Sequence, residues 1–352
     1  MAAYILKRLL LMIPTLFGVM LLTFVVTQFV PGGPVEQLIH QLQTQGQKNG
    51  SEASGASQRL YRGNAGLDKE KLDELKALYG FDKPAYQRFF TMIGNYIRFD
   101  LGDSYYHQQS VIDLIISKLP VSISLGLWTF FLVYLTCIPL GIYKAVKDGT
   151  TFDVASSTII LIGYAIPGFV LGIFLLVLFG GGSFWDVFPL RGLTSDNWET
   201  LNWLGKIKDY LWHITLPVIS LVVGSFAVMT MLTKNSFLEE IRKQYVLTAR
   251  AKGLSETRVL YKHVFRNAMI PLVTGFPSAF ISAFFAGSIL IESIFSLDGL
   301  GLLAYDSILR RDYPVVLGTL YLFTLLGLFA KLITDVCYVL VDPRIQFESQ
   351  NN

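Results

Sequence analysis

Histidine and cysteine, which commonly bind metals or act as nucleophiles, are few in this sequence and widely separated. The four histidines show no metal-ligand spacing; they are His40, His107, His213 and His263. The two cysteines, Cys137 and Cys337, each lie within an apolar run, where a small packing side chain is the simplest interpretation. We therefore predict no metal site and no disulfide framework.

The sequence also lacks motifs for nucleotide binding or covalent catalysis. No G-x-x-x-x-G-K-[ST] phosphate loop occurs, and the glycine run 180–182 lacks the lysine that such a loop needs. A G-x-S-x-G nucleophile motif does not occur either. We predict that the chain is not an enzyme and has no catalytic residue and no cofactor of its own. ATP-driven work would therefore require an ATPase on another chain.

Residues 234–267, here called the basic loop, form the most distinctive polar segment, with eight basic residues and three glutamates. The pattern predicts two short helices, one before Gly253 and one beginning near Ser255, whose hydroxyl would cap the second helix. Glycine permits the reversal between them at little steric cost. The small residues Ala249 and Ala251 would let a partner protein approach closely, but a basic helix can also lie on anionic lipid. Spacing alone leaves both interpretations open.

The elements that must position this loop are dominated by apolar residues. Hydrophobic residues make up 52% of the 352 residues and charged residues only 16%, whereas about a quarter of residues in soluble domains are charged. A net charge of +3 is too small to indicate nucleic-acid binding. Composition therefore favours a membrane protein.

Six apolar stretches reach the roughly 20 residues that a transmembrane helix needs. They are Leu9–Val30, Pro120–Tyr143, Val154–Gly180, Leu211–Thr233, Ala268–Ile291 and Pro314–Val341. The first is too long for the core of a signal peptide, about 7–15 residues, and we interpret it as a retained span. We predict an all-α integral membrane protein with six transmembrane helices.

The charges of the connecting segments predict the orientation of these spans. The basic loop is expected in the cytoplasm, because short cytoplasmic loops carry the excess of lysine and arginine. The loop after the fifth span is rich in acidic residues and is expected outside. Six spans then place both termini in the cytoplasm. The predicted divisions are a first transmembrane helix (1–30), a periplasmic segment (31–119), a core domain with five spans and the basic loop (120–341), and a cytoplasmic tail (342–352).

The predicted periplasmic segment has two parts that differ in composition. Residues 41–66 are rich in Gln, Gly, Ser and Asn, which bury too little apolar surface to offset the entropy of ordering, so we predict a flexible insertion. Helical spacing of apolar residues follows in Leu72–Tyr79 and again in Tyr86–Ile97. We expect short helices there, resting on the outer surface of the spans.

The basic loop contains T-A-R-A-K-G-L at Thr248–Leu254, followed by H-x-x-R-N-A from His263 to Ala268. This pair of motifs resembles the EAA loop of binding-protein-dependent ABC importer permeases, in the variant of the peptide and nickel group. The general importer motif has Glu at the position of Leu247 and Pro at the position of Arg266. Both departures are typical of the peptide group.

Shorter matches to the same family follow one another along the whole chain. They are Pro31–Pro34 (P-G-D-P in the family), Tyr79–Pro84 (L-G-L-D-K-P), Asp100–Ser104 (D-L-G-x-S), Ile166–Phe169 (I-P-x-F), Glu292–Gly301 (E-x-x-F-x-x-P-G-L-G), Arg311–Pro314 and Asp342–Arg344. Within the group, Phe188–Gly192, Asp209–Pro217 and the polar insertion are most similar to the B-type permeases of Yej-type importers. These importers carry microcin C and oligopeptides in Gram-negative bacteria.

The resemblance implies a type I ABC importer permease fold and ATP-driven uptake of oligopeptides or peptide-like compounds of the microcin C type. The implied partners are a second permease subunit, ABC ATPase subunits that hold ATP and Mg, and a periplasmic substrate-binding protein, all working at the bacterial inner membrane. Contact with the ATPase is expected for Thr248, Ala249, Arg250, Ala251, Lys252, Gly253, Leu254, Glu256, His263 and Arg266. Contact with the binding protein is expected for Arg310, Arg311 and Asp312, and no substrate-binding residue is predicted.

An ATPase-independent secondary transporter or channel is the alternative. It would need functional charges within the spans or inverted repeats. Lys331 and Asp335 do interrupt the last span, but their four-residue spacing suits a pair near the membrane surface. Pro167 and Pro217 can break or kink their spans, yet kinks serve packing as often as transport.

Overall fold

The computed structural model describes residues 2–29, 82–181, 184–284 and 288–341. Within these ranges the chain is helical, with two isolated β-bridges and no extended strand. The predicted insertion 41–66, the helical pattern Leu72–Tyr79 and the tail 342–352 lie outside the described residues.

The described residues form thirteen α-helices. In chain order they are α1 (Ala2–Phe29), α2 (Ala85–Ile97), α3 (Val111–Val146), α4 (Thr151–Ala165), α5 (Gly168–Phe179), α6 (Trp203–Ile241), α7 (Gln244–Ala251), α8 (Glu256–Val259), α9 (Phe265–Ala268), α10 (Ile270–Phe284), α11 (Ile289–Ile294), α12 (Leu300–Arg310) and α13 (Tyr313–Val341). A short 3₁₀ turn covers Trp198–Thr200, and a π-helical segment, Leu260–Val264, joins α8 to α9.

Among the described residues, five stretches are long and apolar enough to cross a bilayer, and a sixth is a bent pair of helices. The five are Tyr4–Phe29, Val111–Val146, Trp203–Ile241, Ile270–Ile294 and Tyr313–Tyr338. The six predicted apolar stretches coincide with these elements, but several helices are longer than predicted. In particular, α6 continues to Ile241, so the first residues of the basic loop are helical, because a helix need not end where its apolar residues do.

The third predicted span is divided between α4 and α5, which are bent by 91°. The break has a local cause in Ile166 and Pro167. Proline cannot donate a backbone hydrogen bond and drives the preceding residue out of the helical region, and Ile166 is extended, with ψ 118°. In contrast, α6 runs without a break through Pro217.

The helices fall into two compact units, one formed by residues 1–10, 116–303 and 325–352, the other by residues 11–115 and 304–324. In the first unit, helices approach closely at glycines. A Cβ on Gly141 of α3 would lie 2.5 Å from Thr233 Cβ of α6, and one on Gly168 of α5 would lie 2.8 Å from the Ser220 carbonyl oxygen of α6. Small residues at these crossings allow the close backbone packing common between membrane helices.

In the second unit, α2 rests on α1 through aromatic contacts. The Phe89 ring lies 5.5 Å from that of Phe17 and 5.3 Å from that of Phe24. Tyr96 packs against Tyr321 of α13 at 5.1 Å. The predicted helix over Tyr86–Ile97 is therefore present as α2, held against its neighbours by its buried aromatic residues.

The charge within the last span has a different partner from the one its spacing predicts. Asp335 lies 2.8 Å from Arg8 Nη2 and accepts a hydrogen bond from Tyr4 Oη at 3.0 Å. Lys331 is exposed. The four-residue spacing of Lys331 and Asp335 was thus the wrong guide, because an arginine on α1 reaches the carboxylate instead.

Candidate functional site

The basic loop folds as the two short helices that its sequence predicts. Gly253 has a φ of +76°, a conformation that costs glycine little. Its N–H donates to the Arg250 carbonyl at 2.9 Å, and the Leu254 N–H donates to the Ala249 carbonyl at 3.4 Å. This pair of bonds is a Schellman ending of α7 with glycine at the left-handed position. Ser255 then caps α8 by accepting the Arg258 N–H at 3.4 Å.

An ion pair joins the two short helices across the reversal. Arg250 Nε lies 2.9 Å from Glu256 Oε1, and Nη2 donates to Oε2 at 2.9 Å. Both side chains were predicted to contact a partner. Their pairing also links α7 to α8.

One side of the basic loop packs against its own chain. The buried residues of this apolar cluster are Ala145, Phe237, Val246, Ala249, Val259, Val264 and Ala268. Ala249 is only 6% exposed, and the half-buried Leu254 packs against the same cluster. Both were predicted to contact the ATPase; their inward position instead explains them as residues that seat the loop on α3 and α6.

The other side of the loop is exposed and mixes cations with two large apolar residues. Leu247 is 50% exposed and Tyr261 62%. The exposed predicted contact residues are Thr248, Arg250, Ala251, Lys252, Gly253, Glu256 and Arg266, whereas His263 is half-buried in the π-helical segment. Seven of the ten residues predicted to contact the ATPase are therefore exposed.

A hydrogen-bonded group ties the start of the loop to its end. Tyr245 Oη donates to Glu240 Oε2 at 2.6 Å and accepts from Asn267 Nδ2 at 3.2 Å. Burial, and after it the hydrogen bond to Glu240, raises the pKa of the Tyr245 phenol. Lys243 also pairs with Glu240, and this hydrogen bond raises the pKa of its ammonium group. Side-chain contacts therefore stabilise the turn between α6 and α7 in addition to its backbone hydrogen bonds.

The residues predicted to meet a binding protein separate into exposed and buried members. Arg310 is exposed, with its guanidinium 4.4 Å from the Tyr106 ring centroid. Arg311 is half-exposed and has a φ of +57°. Asp312 is only 1% exposed: its carboxylate accepts from Ser104 Oγ at 2.5 Å and from the Tyr105 N–H at 3.0 Å. As a correction, the Asp312 side chain holds the loop before α3 and is not available to a partner in this conformation.

Glu292 anchors the loop that follows α11. It is completely buried, and its carboxylate accepts N–H groups from Ser288 at 3.2 Å, Gly301 at 3.4 Å and Leu302 at 2.7 Å. A Cβ on Gly299 would lie 2.6 Å from its carboxyl carbon. The E-x-x-F-x-x-x-G-L-G pattern therefore has a local explanation, because the carboxylate caps α12 and the glycine gives it room.

Comparison with known proteins assigns the family. Residues 137–347, more than half of the chain, match the family described as "Binding-protein-dependent transport system inner membrane component". The chain belongs to this family. It is 58% identical, over the full length of both chains, to the "Peptidoglycan transport system permease protein YejB" of Agrobacterium fabrum.

Two further relatives extend over nearly the same length. The "Inner membrane ABC transporter permease protein YejB" of Escherichia coli O157:H7 is 54% identical, covering 99% of this chain and 100% of the relative. The "Oligopeptide transport system permease protein AppB" of Bacillus subtilis is 33% identical, again covering 99% and 100%. The predicted resemblance to Yej-type permeases is confirmed.

Membership in this family establishes the general role of the chain. It is a multi-pass inner-membrane permease of an ABC importer, and ATP hydrolysis belongs to partner ATPases rather than to this chain. The family also implies a binding protein and a second permease as partners. Among the described residues of the permease, no group of three or more His, Cys, Asp or Glu side chains could hold a metal ion.

Sequence reasoning missed a buried charged group beside the basic loop. Lys144 is fully buried next to Asp153, which also pairs with Lys234 at 2.7 Å. Lys144 directly follows one predicted span and Asp153 directly precedes the next. Opposite charges at facing ends of consecutive spans were the available signal, but spacing alone does not reveal that α6 supplies a second lysine.

Proposed function

We propose that this permease imports short peptides or compounds built on peptides, using ATP hydrolysed by partner subunits. The proposal is supported by the substrates in the relatives' names. One relative is named for the transport of oligopeptides and another for the transport of peptidoglycan, a polymer with peptide stems, so both names indicate compounds that contain peptides. Microcin C-like compounds, which resemble peptides, fall within the same class.

We assign the exposed side of the basic loop as the surface that docks on the ATPase. The observation that carries this assignment is the seating of the loop, since its apolar residues face α3 and α6 and leave a mainly polar side exposed. A helix lying on lipid would instead turn its apolar face towards acyl chains. A loop whose apolar residues pack internally and whose outer side is mainly polar is better suited to contact a protein than to lie on lipid.

The exposed cations Lys252 and Arg266 would provide charge-based orientation, and the exposed Leu247 and Tyr261 would provide apolar contact area. In this proposal the basic loop lies in the cytoplasm, where ATP and Mg are held by the ATPases. Arg310 and Arg311 lie on the periplasmic side, where a binding protein would deliver the substrate.

Capture of the ATPase tests the docking surface. The permease carrying Lys252→Glu and Arg266→Glu should retain about tenfold less ATPase through purification, a change equivalent to about 1.4 kcal/mol of binding free energy. The control is Lys206→Glu, which also reverses a lysine but lies on α6 near its N-terminus, paired with Glu199 at 3.4 Å. Equal capture by the wild type and the double variant would contradict the docking assignment.

Transport by the purified complex in proteoliposomes tests the substrate class. Labelled tri- to pentapeptides should accumulate only with ATP inside the compartment that holds the ATPases, and muropeptides should compete while free amino acids should not. Accumulation by the permease alone, without any ATPase, would favour the secondary-transporter alternative.

A further inference from the structure

Five charged side chains meet where α3 ends, α4 begins and α6 enters the basic loop, to which Lys234 and Arg242 belong. We call this group, Lys144, Asp148, Asp153, Lys234 and Arg242, the ionic junction. Lys144 Nζ lies 3.0 Å from Asp153 Oδ1, and Lys234 Nζ lies 2.7 Å from Asp153 Oδ2 and 2.9 Å from Asp148 Oδ1. Arg242 reaches Asp148 at 3.4 Å on the exposed rim.

The inner part of the junction is enclosed, and Asp153 Oδ1 meets Lys144 as an ion pair without a hydrogen bond. The Lys144 side chain is 0% exposed and that of Asp153 6%. The Lys144 ammonium also donates to the Asp153 carbonyl at 2.8 Å and to the hydroxyls of Ser156 and Ser157 at 2.7 Å each. A single carboxylate, Asp153 at the start of α4, therefore holds one lysine from α3 and one from α6.

The junction is continuous with the seat of the basic loop. Ala145, next to Lys144, and Phe237, one helical turn after Lys234, both belong to the apolar cluster beneath α7 and α8. Directly beside the junction, Gly141 of α3 packs against Thr233 of α6. The seat of the loop and the junction therefore lie on the same ends of α3 and α6.

The buried ion pairs of the junction are better suited to transmitting movement between helices than to stabilising the fold. Replacing a buried ion pair with well-packed apolar residues is often neutral or stabilising, whereas removing one partner is costly. Charges that share a partner do, however, resist the sliding of one helix against another, because such a shift would leave a buried charge unpaired. α4, whose first turn contains Asp153, is followed after the 91° bend by α5.

We propose that the ionic junction transmits movement of the basic loop to the bent pair α4–α5, so that Lys144, Asp153 and Lys234 are positioning residues for coupling ATP hydrolysis to transport. This inference rests on the proposed function, since it requires an ATPase that moves the basic loop. A purely structural role would instead lower stability and reduce hydrolysis and transport together.

Lys234→Gln in the complete importer tests the inference. This change removes the link from α6 but leaves the buried Lys144–Asp153 pair in place. ATPase capture and the rate of ATP hydrolysis should stay within about twofold of wild type, while labelled peptide transported per ATP should fall about tenfold, inside the roughly 5–150-fold range of measured allosteric couplings. Lys234→Arg, which keeps the charge, should restore the ratio.

Lys206→Gln is the matched control, because it removes a lysine from the same helix at an ion pair remote from the junction, and it should leave the ratio unchanged. An unchanged ratio in Lys234→Gln, or an equal fall in Lys206→Gln, would overturn the inference. If the Lys234→Gln protein does not accumulate in cells, Asp148→Asn on the half-exposed rim is used in its place. We then expect a smaller fall in peptide transported per ATP, and an unchanged ratio would overturn the inference. Loss of ATPase capture by the wild type would contradict the proposed function instead.

Discussion

At the scale of single residues, the reversal of the basic loop depends on the backbone of Gly253. Nothing lies within 4 Å of a Cβ placed there, yet its φ is +76°. Gly253→Val should therefore cost about 1–2 kcal/mol through backbone strain rather than collision, and it should reduce ATPase capture by shifting α8. Thermal unfolding in detergent and co-purification of the ATPase measure the two effects.

Gly102 offers a control with the same geometry, since its φ is also +76° and its surroundings are also open. Gly102→Val should lose similar stability but keep ATPase capture, because it lies outside the basic loop. If both variants capture ATPase like the wild type, the conformation of Gly253 does not matter for docking.

Arg311 is strained in a different way. It occupies the left-handed position after α12, where the Asp312 N–H donates to the Ser307 carbonyl at 2.8 Å and the Arg311 N–H to the Ile308 carbonyl at 3.2 Å. This Schellman ending favours glycine. Arg311→Gly should therefore raise stability by about 1 kcal/mol and still reduce delivery from the binding protein.

Arg311→Ala separates the two effects, because it keeps the strained backbone but removes the guanidinium. It should lower transport at limiting binding protein without the gain in thermal stability. Full transport by both variants would remove Arg311 from the binding-protein surface.

The reversal at Gly253, the cap at Ser255 and the two helices of the basic loop could be predicted from the sequence, because glycine and N-cap preferences act over a few residues. The sequence could not predict that Ala249 and Asp312 face inward. Their burial depends on Phe237 and Ser104, respectively, and only the folded chain brings these partners together.

At the scale of elements, the contact of α5 with α6 depends on a glycine at the bend. A Cβ on Gly168 would lie 2.8 Å from the Ser220 carbonyl oxygen, a backbone atom that cannot rotate away. Gly168→Leu should push the two helices apart at a cost of about 1–3 kcal/mol, typical of overpacking. The measurement is the thermal stability of the purified permease.

Gly224→Leu, on α6 one turn beyond Ser220, is the matched control, because nothing lies within 4 Å of its added Cβ. A comparable loss in both variants would show that helix propensity or detergent contact, rather than the α5–α6 approach, sets the cost.

The apolar stretches predicted which segments become membrane helices, since length and composition carry that information. Their ends were less predictable, as α3 and α6 continue as helices beyond their apolar residues. The apolar pattern also did not distinguish the break at Pro167 from the continuous helix through Pro217. Residue 166 leaves the helical region, whereas the helix around Pro217 is largely buried among its neighbours.

At the scale of the whole molecule, the number of crossings fixes which surfaces share a side of the membrane. One candidate span, Ile270–Ile294, separates the basic loop from α12. Single cysteines at the exposed positions Thr257 and Ile308, with Cys137 and Cys337 replaced by alanine, should therefore react with an impermeant maleimide from opposite sides. By the positive-inside rule, Ile308→Cys should react in spheroplasts and Thr257→Cys only after lysis.

A third cysteine, in a short tag added before Met1, decides whether α4 and α5 together cross the bilayer. If the bent pair crosses, four spans lie between the tag and Thr257, and both cysteines should react only after lysis. If the pair instead enters and leaves on one side, three spans lie between them and the tag should react in spheroplasts with Ile308→Cys. We expect the first outcome, because α4 and α5 together are long and apolar enough to cross the bilayer. Lys7 and Arg8 also favour a cytoplasmic N-terminus. The second would contradict six crossings while leaving the basic loop opposite α12.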